Sequence, residues 1–327
     1  MNWGVDTSPV YSAWVLAQPA LEVSNLTKLY GSFRAVGGIS FCVPKGKIVG
    51  LLGPNGAGKT TTIQMLVGIT LPDGGEIRYF GQDLHRHREA CLQRINFSSS
   101  YNNLQGRITV WENLIVFARL YRVAQPEQKI QNLGRYFGID ELMGQRFLTL
   151  SAGQRTRVNL TKALLNDPEV LLMDEPTASL DPDIADRTLS LIESLRESRD
   201  LAIVYTSHQM DEVTRICDEV IFLDRGRIVA QDTPAGLTAR IANSRLRVMF
   251  EGQPQLVVSA LQSHFANVEL PTHNVVLVTT EAQRIPQAIF DIGNSGVRIT
   301  DIDIKKPTLE DVFLHIARGD HRVGDPR

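Results

Sequence analysis

From about residue 45 to residue 225, short apolar runs alternate with stretches of helical period, the pattern of parallel strands joined by helices. Lys47 to Leu52, Val170 to Met173 and Leu201 to Tyr205 are too short for helices and are bounded by polar or Pro-containing breaks, so each predicts a buried strand. Ahead of them, Leu21 to Val23 and Ile39 to Val43 predict shorter strands about a turn at Gly37-Gly38, an antiparallel flank to the main sheet. The segment from Leu84 to Leu165 reads as mostly helical, with helices over Glu112 to Leu120 and Glu127 to Phe137.

Beyond Leu237 the rhythm changes. Strand-like runs at Arg245 to Phe250, Val268 to Leu270, Asn274 to Thr280 and Val297 to Ile304 are interleaved with helical periods at Gln255 to His264 and Ala282 to Ile289. That β-α-β-β-α-β order predicts a small α+β domain of ferredoxin-like kind, closed by a helix over Thr308 to Ala317. The expected organisation is an N-terminal leader at 1–20 and an α/β domain at 21–240 with a helical subdomain at about 90–165. An accessory domain at 241–318 and a frayed tail at 319–327 follow.

Composition narrows the function classes. At about 150 residues per domain, 327 residues agree with two domains. The net charge of -2, from 34 basic and 36 acidic residues, lacks the wide basic field of a nucleic-acid-binding protein, so no nucleic-acid partner is expected. Cys42, Cys91 and Cys217 lie far apart without metal-ligand spacing and read as reduced thiols of a cytoplasmic protein. No apolar run reaches the roughly 18 to 20 residues of a spanning helix. Met1 to Ala20 lacks a basic start and carries Asp6, unlike a signal peptide.

Chemistry enters at Gly53-Pro54-Asn55-Gly56-Ala57-Gly58-Lys59-Thr60, which fits the phosphate-binding loop G-x-x-x-x-G-K-[ST] between a predicted strand and an amphipathic helix. Glycines let the backbone wrap round phosphates with its N–H groups pointing inward at the positive end of a helix. Lys59 is placed to reach the β and γ phosphates, the Thr60 hydroxyl to ligate Mg²⁺, and Thr61 to add a further phosphate contact. Downstream, Asp174 closes an apolar strand where it can hold Mg²⁺ through water. Glu175, one residue on, is placed to polarise a water for in-line attack on a γ-phosphate.

Leu150-Ser151-Ala152-Gly153-Gln154 resembles the signature of the ATP-binding cassette (ABC) ATPases. The order of motifs is similar too: Tyr30, the phosphate loop, the signature, Asp174-Glu175, Ser179-Leu180-Asp181, then His208 after a strand. The resemblance covers about residues 21 to 240. It implies a P-loop NTPase fold of the ABC kind: a mixed sheet with helices, an antiparallel β flank and a helical signature subdomain. It also implies ATP and Mg²⁺ as ligands, and two cassettes meeting head to tail.

On that resemblance, Tyr30 stacks on adenine with Val36 alongside. Ser151, the Gly153 N–H, Gln154 and the start of their helix clamp the ATP bound to the opposite cassette. Asp181 supports the dimer seam, and His208 touches the γ-phosphate and holds the attacking water with Glu175. Two departures stand out. Ala152 replaces the first glycine of the usual pair and adds a methyl, which matters only if the position needs positive φ. Ser100 stands where a glutamine is usual. Its hydroxyl can still meet Mg²⁺ or water, but it is shorter: either the loop approaches more closely, or Asn102 or Gln105 substitutes in a shifted register, or water completes the metal shell.

The segment Lys306 to His315 resembles the tail of ABC-2 type export ATPases. The expected job is therefore the energy subunit of an exporter, peripheral on the inner face of the cell membrane. Its expected partners are a separate integral-membrane permease and a second copy of itself or a homologous cassette. An importer ATPase shares every catalytic residue and differs only at that tail. A soluble ABC ATPase of translation or DNA repair usually carries two cassettes or a long coiled coil. Here Lys59 and Ser151 are about 90 residues apart with no heptad run between them.

Overall fold

The computed structural model describes residues 18–99, 104–178, 180–241 and 243–317. The chain divides into two compact units, one ending at Pro234 and one starting at Ala235.

The first unit opens with strands β1 (Leu21–Tyr30), β2 (Phe33–Val43) and β3 (Ile48–Leu52) and helix α1 (Lys59–Leu66). Strands β4 (Gly74–Tyr79) and β5 (Gln82–Asp83), helix α2 (Arg88–Gln93) and strand β6 (Ile95–Ser99) follow. Helices α3 (Val110–Leu120), α4 (Pro126–Phe137) and α5 (Ala152–Ala163) then lead to strand β7 (Val170–Asp174). Helix α6 (Pro182–Arg199), strand β8 (Ala202–Thr206), helix α7 (Met210–Ile216) and strands β9 (Glu219–Asp224) and β10 (Arg227–Asp232) complete the unit.

Six strands form the main sheet in the order β10-β9-β3-β8-β7-β6, parallel except for β10 at one edge. Every residue of β3 and β8 is buried, as expected of parallel strands covered on both faces. Parallel strands put their carboxyl ends on one edge, and β3, β7 and β8 carry the phosphate loop, the acidic pair and the His208 loop there. A second, antiparallel sheet runs β2-β1-β4-β5. Leu21, Phe41, Leu51, Leu66 and Val204 belong to one buried cluster that joins this sheet, α1 and the parallel sheet. That packing fixes where α1 begins.

Three expectations change. The turn between the first two strands is at Gly31-Ser32, not Gly37-Gly38. Tyr30 pairs with Phe33, and the register slips at Gly38, which acts as a bulge inside β2. The segment expected to be helical contains β6, the far edge of the parallel sheet. Its residues Asn96, Ser98 and Ser99 are polar yet buried, so period and composition conceal it. Asn96 is satisfied by donating from Nδ2 to Asn166 Oδ1 at 2.7 Å, and Lys162 Nζ donates to its Oδ1 at 3.2 Å. Of the expected leader, Gln18 donates from Nε2 to Phe80 O at 2.8 Å and Ala20 N donates to Val43 O at 2.9 Å. Residues 18 and 20 of the expected leader are thus bonded to the fold, and 1–17 lie outside the described residues.

The division at Ala235 falls inside helix α8 (Pro234–Ala239). The second unit contains β11 (Asn243–Glu251), α9 (Pro254–Gln262), β12 (Val268–Thr272), β13 (Val275–Glu281), α10 (Ile285–Asn294), β14 (Arg298–Lys305) and α11 (Leu309–Ala317). Its sheet is antiparallel throughout in the order β12-β13-β11-β14, the ferredoxin-like arrangement. Val257 and Leu261 of α9 and Ala288 and Ile292 of α10 pack with Leu246, Val248 and Phe250 of β11 and with Val276 and Val278 of β13. The expected tail at 319–327 lies outside the described residues.

Candidate active site

Between β3 and α1 the backbone is threaded where a side chain cannot go. Gly53 has φ +150°, and a Cβ there would stand 2.2 Å from Leu223 O. Gly58, with φ +102°, would place one 2.4 Å from Ala35 O. This tight passage brings residues 55–61 against a cleft of about 210 Å³, walled also by Tyr30, Phe33, Ala35, Glu175 and His208. The amino end of α1 opens on it, with its dipole and unpaired first-turn N–H groups favouring an anion. Lys59 bends back over its own loop, donating from Nζ to Gly53 O at 2.6 Å and to Pro54 O at 3.1 Å. Burial holds its pKa below the ordinary lysine value, against the opposing pull of Glu175 and Asp174.

At the ends of β7 and β8 the acidic residues are held by one hydroxyl. Thr206 Oγ1 donates to Asp174 Oδ1 at 2.6 Å and accepts from the Glu175 backbone N–H at 3.1 Å. The same N–H meets Thr206 O at 3.1 Å. Glu175 has φ +49°, uncommon for a residue with a side chain, and its Oε1 lies 2.6 Å from His208 Nε2. Two residues far apart in the chain thus face the phosphate loop as a contacting pair.

Tyr30 and Phe33 project from adjacent strand ends, 49 % and 61 % exposed, and Lys28 Nζ lies over the Tyr30 ring, 5.6 Å from its centroid. Val36 does not share that wall. It is 1 % exposed and belongs to the core beneath the loop, where its Cγ2 would stand 3.4 Å from a Cβ at Gly58. Phe33 and Ala35, rather than Val36, line the cleft beside Tyr30.

The signature forms a second cleft, of about 300 Å³, which shares no lining residue with the first. Ser151 caps α5 in a reciprocal box: Gln154 N donates to its Oγ at 3.3 Å, and Ser151 N donates to Gln154 Oε1 at 2.9 Å. Gly153 is buried, and a Cβ there would meet Ile184 Cγ2 at 2.7 Å. Ala152 is the first residue of α5, exposed and outside the positive-φ region, so its methyl is accommodated. Asp181 caps α6 through its backbone carbonyl, which accepts from Ile184 N and Ala185 N at 2.9 Å each. Its side chain makes no cap bond.

The ABC transporter family profile matches residues 36–178. The chain is 32% identical over 304 residues to the Nod factor export ATP-binding protein I of Rhizobium sp. (strain N33), covering 92% of this chain and 98% of that protein. It is 33% identical over 304 residues to the protein of the same name from Paraburkholderia xenovorans (strain LB400), with the same coverage. This chain belongs to the ABC transporter family. It is an ATP-hydrolysing, ATP-binding subunit of that family. CbiO1 of Clostridium perfringens, part of the ABC transporter complex cbiONQ, superposes with a TM-score of 0.62 at 26% identity over 68% of this chain and 91% of that one. The ADP conformation of MJ1267, at 24% identity and a TM-score of 0.60, shows the same fold over 66% of this chain and 91% of that one.

In this ABC ATPase the sequence-predicted residues from the phosphate loop, Glu175 and His208 meet at one cleft. The sequence motifs do not include Thr206, Phe33 or the buried acid Glu212. The two-residue loop Gly31-Ser32, with Gly at its first position, is a hairpin signal that would have exposed Phe33. Ser100 and Asn102 lie outside the described residues, as does Ser179. The strand ahead of Ser100 ends at Ser99, paired with Asp174. Gln105 Oε1 accepts from Arg107 N at 3.4 Å.

The donor set suits Mg²⁺ rather than a metal caged by protein alone. Among the described residues no group of three His, Cys, Asp or Glu gathers, whereas Asp174 and the Thr60 hydroxyl can each supply one oxygen beside phosphate oxygens and water. Cys42, Cys91 and Cys217 are buried free thiols and take no part. Among the described residues no helix is long and apolar enough to cross a membrane.

Proposed function

We propose that this chain is the energy subunit of an exporter of the ABC-2 type, closing on ATP with a second cassette to drive a separate integral-membrane permease from the inner face of the membrane. One observation carries the export reading. The alignment to the Nod factor export relatives spans 304 residues, more than the first unit contains, so the likeness extends into the second unit as well as the cassette.

Each residue has a physical task. The loop amides and Lys59 hold the β and γ phosphates, and Tyr30 with Phe33 takes the adenine face. Thr60 and Asp174 would hold Mg²⁺, which when bound would neutralise charge on the phosphate oxygens. Glu175 accepts a proton from water as the water oxygen bonds to the γ-phosphorus and the bond from that phosphorus to the bridging oxygen breaks, giving ADP and phosphate. His208 donates to the γ-phosphate and keeps the water in line with Glu175. The separate signature cleft supports action in trans. Ser151, the Gly153 N–H and Gln154 present the amino end of α5 to ATP held by the other cassette, with Asp181 along the seam.

The test is to add ATP and Mg²⁺ to tagged Glu175→Gln chain in detergent-solubilised membranes of the native host and identify what co-purifies. A stoichiometric polytopic membrane protein is the expected result. Recovery with ribosomes or DNA alone overturns the transport reading.

A further inference from the structure

Behind the cleft, the carboxyl of Glu212 on α7 is 5 % exposed and takes three hydroxyls on one oxygen. Thr177 Oγ1, Tyr205 OH and Ser207 Oγ each donate to Glu212 Oε2 at 2.8 Å. All three partners are buried too. Thr177 lies two residues after Glu175, Tyr205 is in β8, and Ser207 immediately precedes His208. Ser207 Oγ in turn accepts from Gln209 N at 3.0 Å, so the backbone on both sides of His208 is tied to the same carboxyl.

The loop of Glu175 and the loop of His208 are thus joined in front and behind. In front, the Thr206 hydroxyl links Asp174 to the Glu175 N–H. Behind, Glu212 joins Thr177 to Ser207. A carboxylate oxygen is an acceptor, so each hydroxyl proton is directed at it and each loop oxygen is held at a set distance. Neither loop can shift without stretching bonds that are buried and have no water to replace them. This second tie also bears on Glu175, whose backbone sits in the left-handed region and needs its surroundings to keep it there.

We infer that Glu212 is a positioning residue for hydrolysis: it sets the spacing of Glu175 and His208 by clamping the two loops from behind, without touching nucleotide. This rests on the roles proposed above for Glu175 and His208. A displacement of about 1 Å in such a pair costs on the order of 10²-fold in rate, so the effect belongs in kcat and not in ATP affinity.

The test measures ATP turnover and nucleotide binding of the full chain for Glu212→Gln, Thr177→Val and Ser207→Ala, with Ser207→Thr as the conservative variant. Thr177→Val and Ser207→Ala each remove one donor and leave the other two on Glu212 Oε2, so they decide the matter even if Glu212→Gln fails to fold. We expect kcat to fall roughly 10- to 100-fold, with KM and ATP binding within about twofold. Ser207→Thr should restore turnover, and the combined Thr177→Val, Ser207→Ala losses should be less than multiplicative because both cut one tie. Glu175→Gln is the control. If it hydrolyses ATP at the parental rate, the reading of the site fails. If it is inactive while Thr177→Val and Ser207→Ala both keep parental kcat, or lose only ATP affinity, the inference about Glu212 is overturned.

Discussion

Glu175 Oε1 and His208 Nε2 stand 2.6 Å apart, joining the carboxyl ends of two neighbouring parallel strands across the mouth of the phosphate loop. The contact pairs the residue proposed to take the proton from water with the one proposed to hold that water and the γ-phosphate.

Glu175→Gln keeps the size and hydrogen-bonding reach of the side chain and removes its basicity. ATP hydrolysis should drop by roughly 10²- to 10⁴-fold while ATP binding persists, so that ATP and Mg²⁺ trap a cassette dimer. Phosphate release and size-exclusion chromatography of the same sample check both halves. A monomer with parental turnover would refute the assignment.

Lys59→Ala acts on the ground state. The side chain bridges Gly53 O and Pro54 O and supplies the charge nearest the loop amides, so its loss should weaken ATP binding by at least about tenfold. Equilibrium binding of a fluorescent ATP analogue separates this from the Glu175→Gln phenotype, in which affinity is retained.

The two small residues of the signature should respond in opposite ways. Ala152→Gly removes an exposed methyl at a position with ordinary helical backbone and should leave turnover within about twofold. Gly153→Ala places a methyl 2.7 Å from Ile184 Cγ2, forcing α5 and α6 apart at a cost of about 1–3 kcal/mol. Thermal unfolding and ATPase rates of both variants check the contrast.

Glu219 on β9 is fully buried, with Gln231 Nε2 donating to its Oε1 at 3.0 Å. Burial, with a smaller push from the Asp232 charge, raises its pKa from 4.5 to about 7, although the Gln231 bond works the other way. The folded state therefore binds this proton more tightly than the unfolded chain. Its contribution is complete below about pH 4.5 and is lost as pH rises through about 7. Glu219→Gln should remove that pH dependence, gaining stability relative to the parent at pH 8 compared with pH 5, by up to about 3 kcal/mol. Unfolding midpoints in urea at the two pH values measure it. A parallel pH dependence in parent and variant would contradict the assignment.

What the chain order alone determined is local and repetitive. The phosphate loop, the signature with its capping box, the Asp174-Glu175 step and the β-α-β-β-α-β rhythm after residue 240 are runs of neighbouring residues. Their glycines, caps and apolar periods are dictated by backbone geometry within a few positions. Tertiary structure decided whatever depends on residues that meet only after folding. Strand β6 is polar by composition and becomes a strand because β7 offers it an edge and Asn166 and Lys162 satisfy Asn96. Val36 and Phe33 lie only three residues apart on β2, yet packing buries Val36 in the core and leaves Phe33 at the strand end facing the cleft. The Thr206 and Glu212 ties are invisible in sequence for the same reason. A hydroxyl or carboxyl acquires a positioning role from where its partners are delivered, and here they arrive from separate strand ends of one parallel sheet.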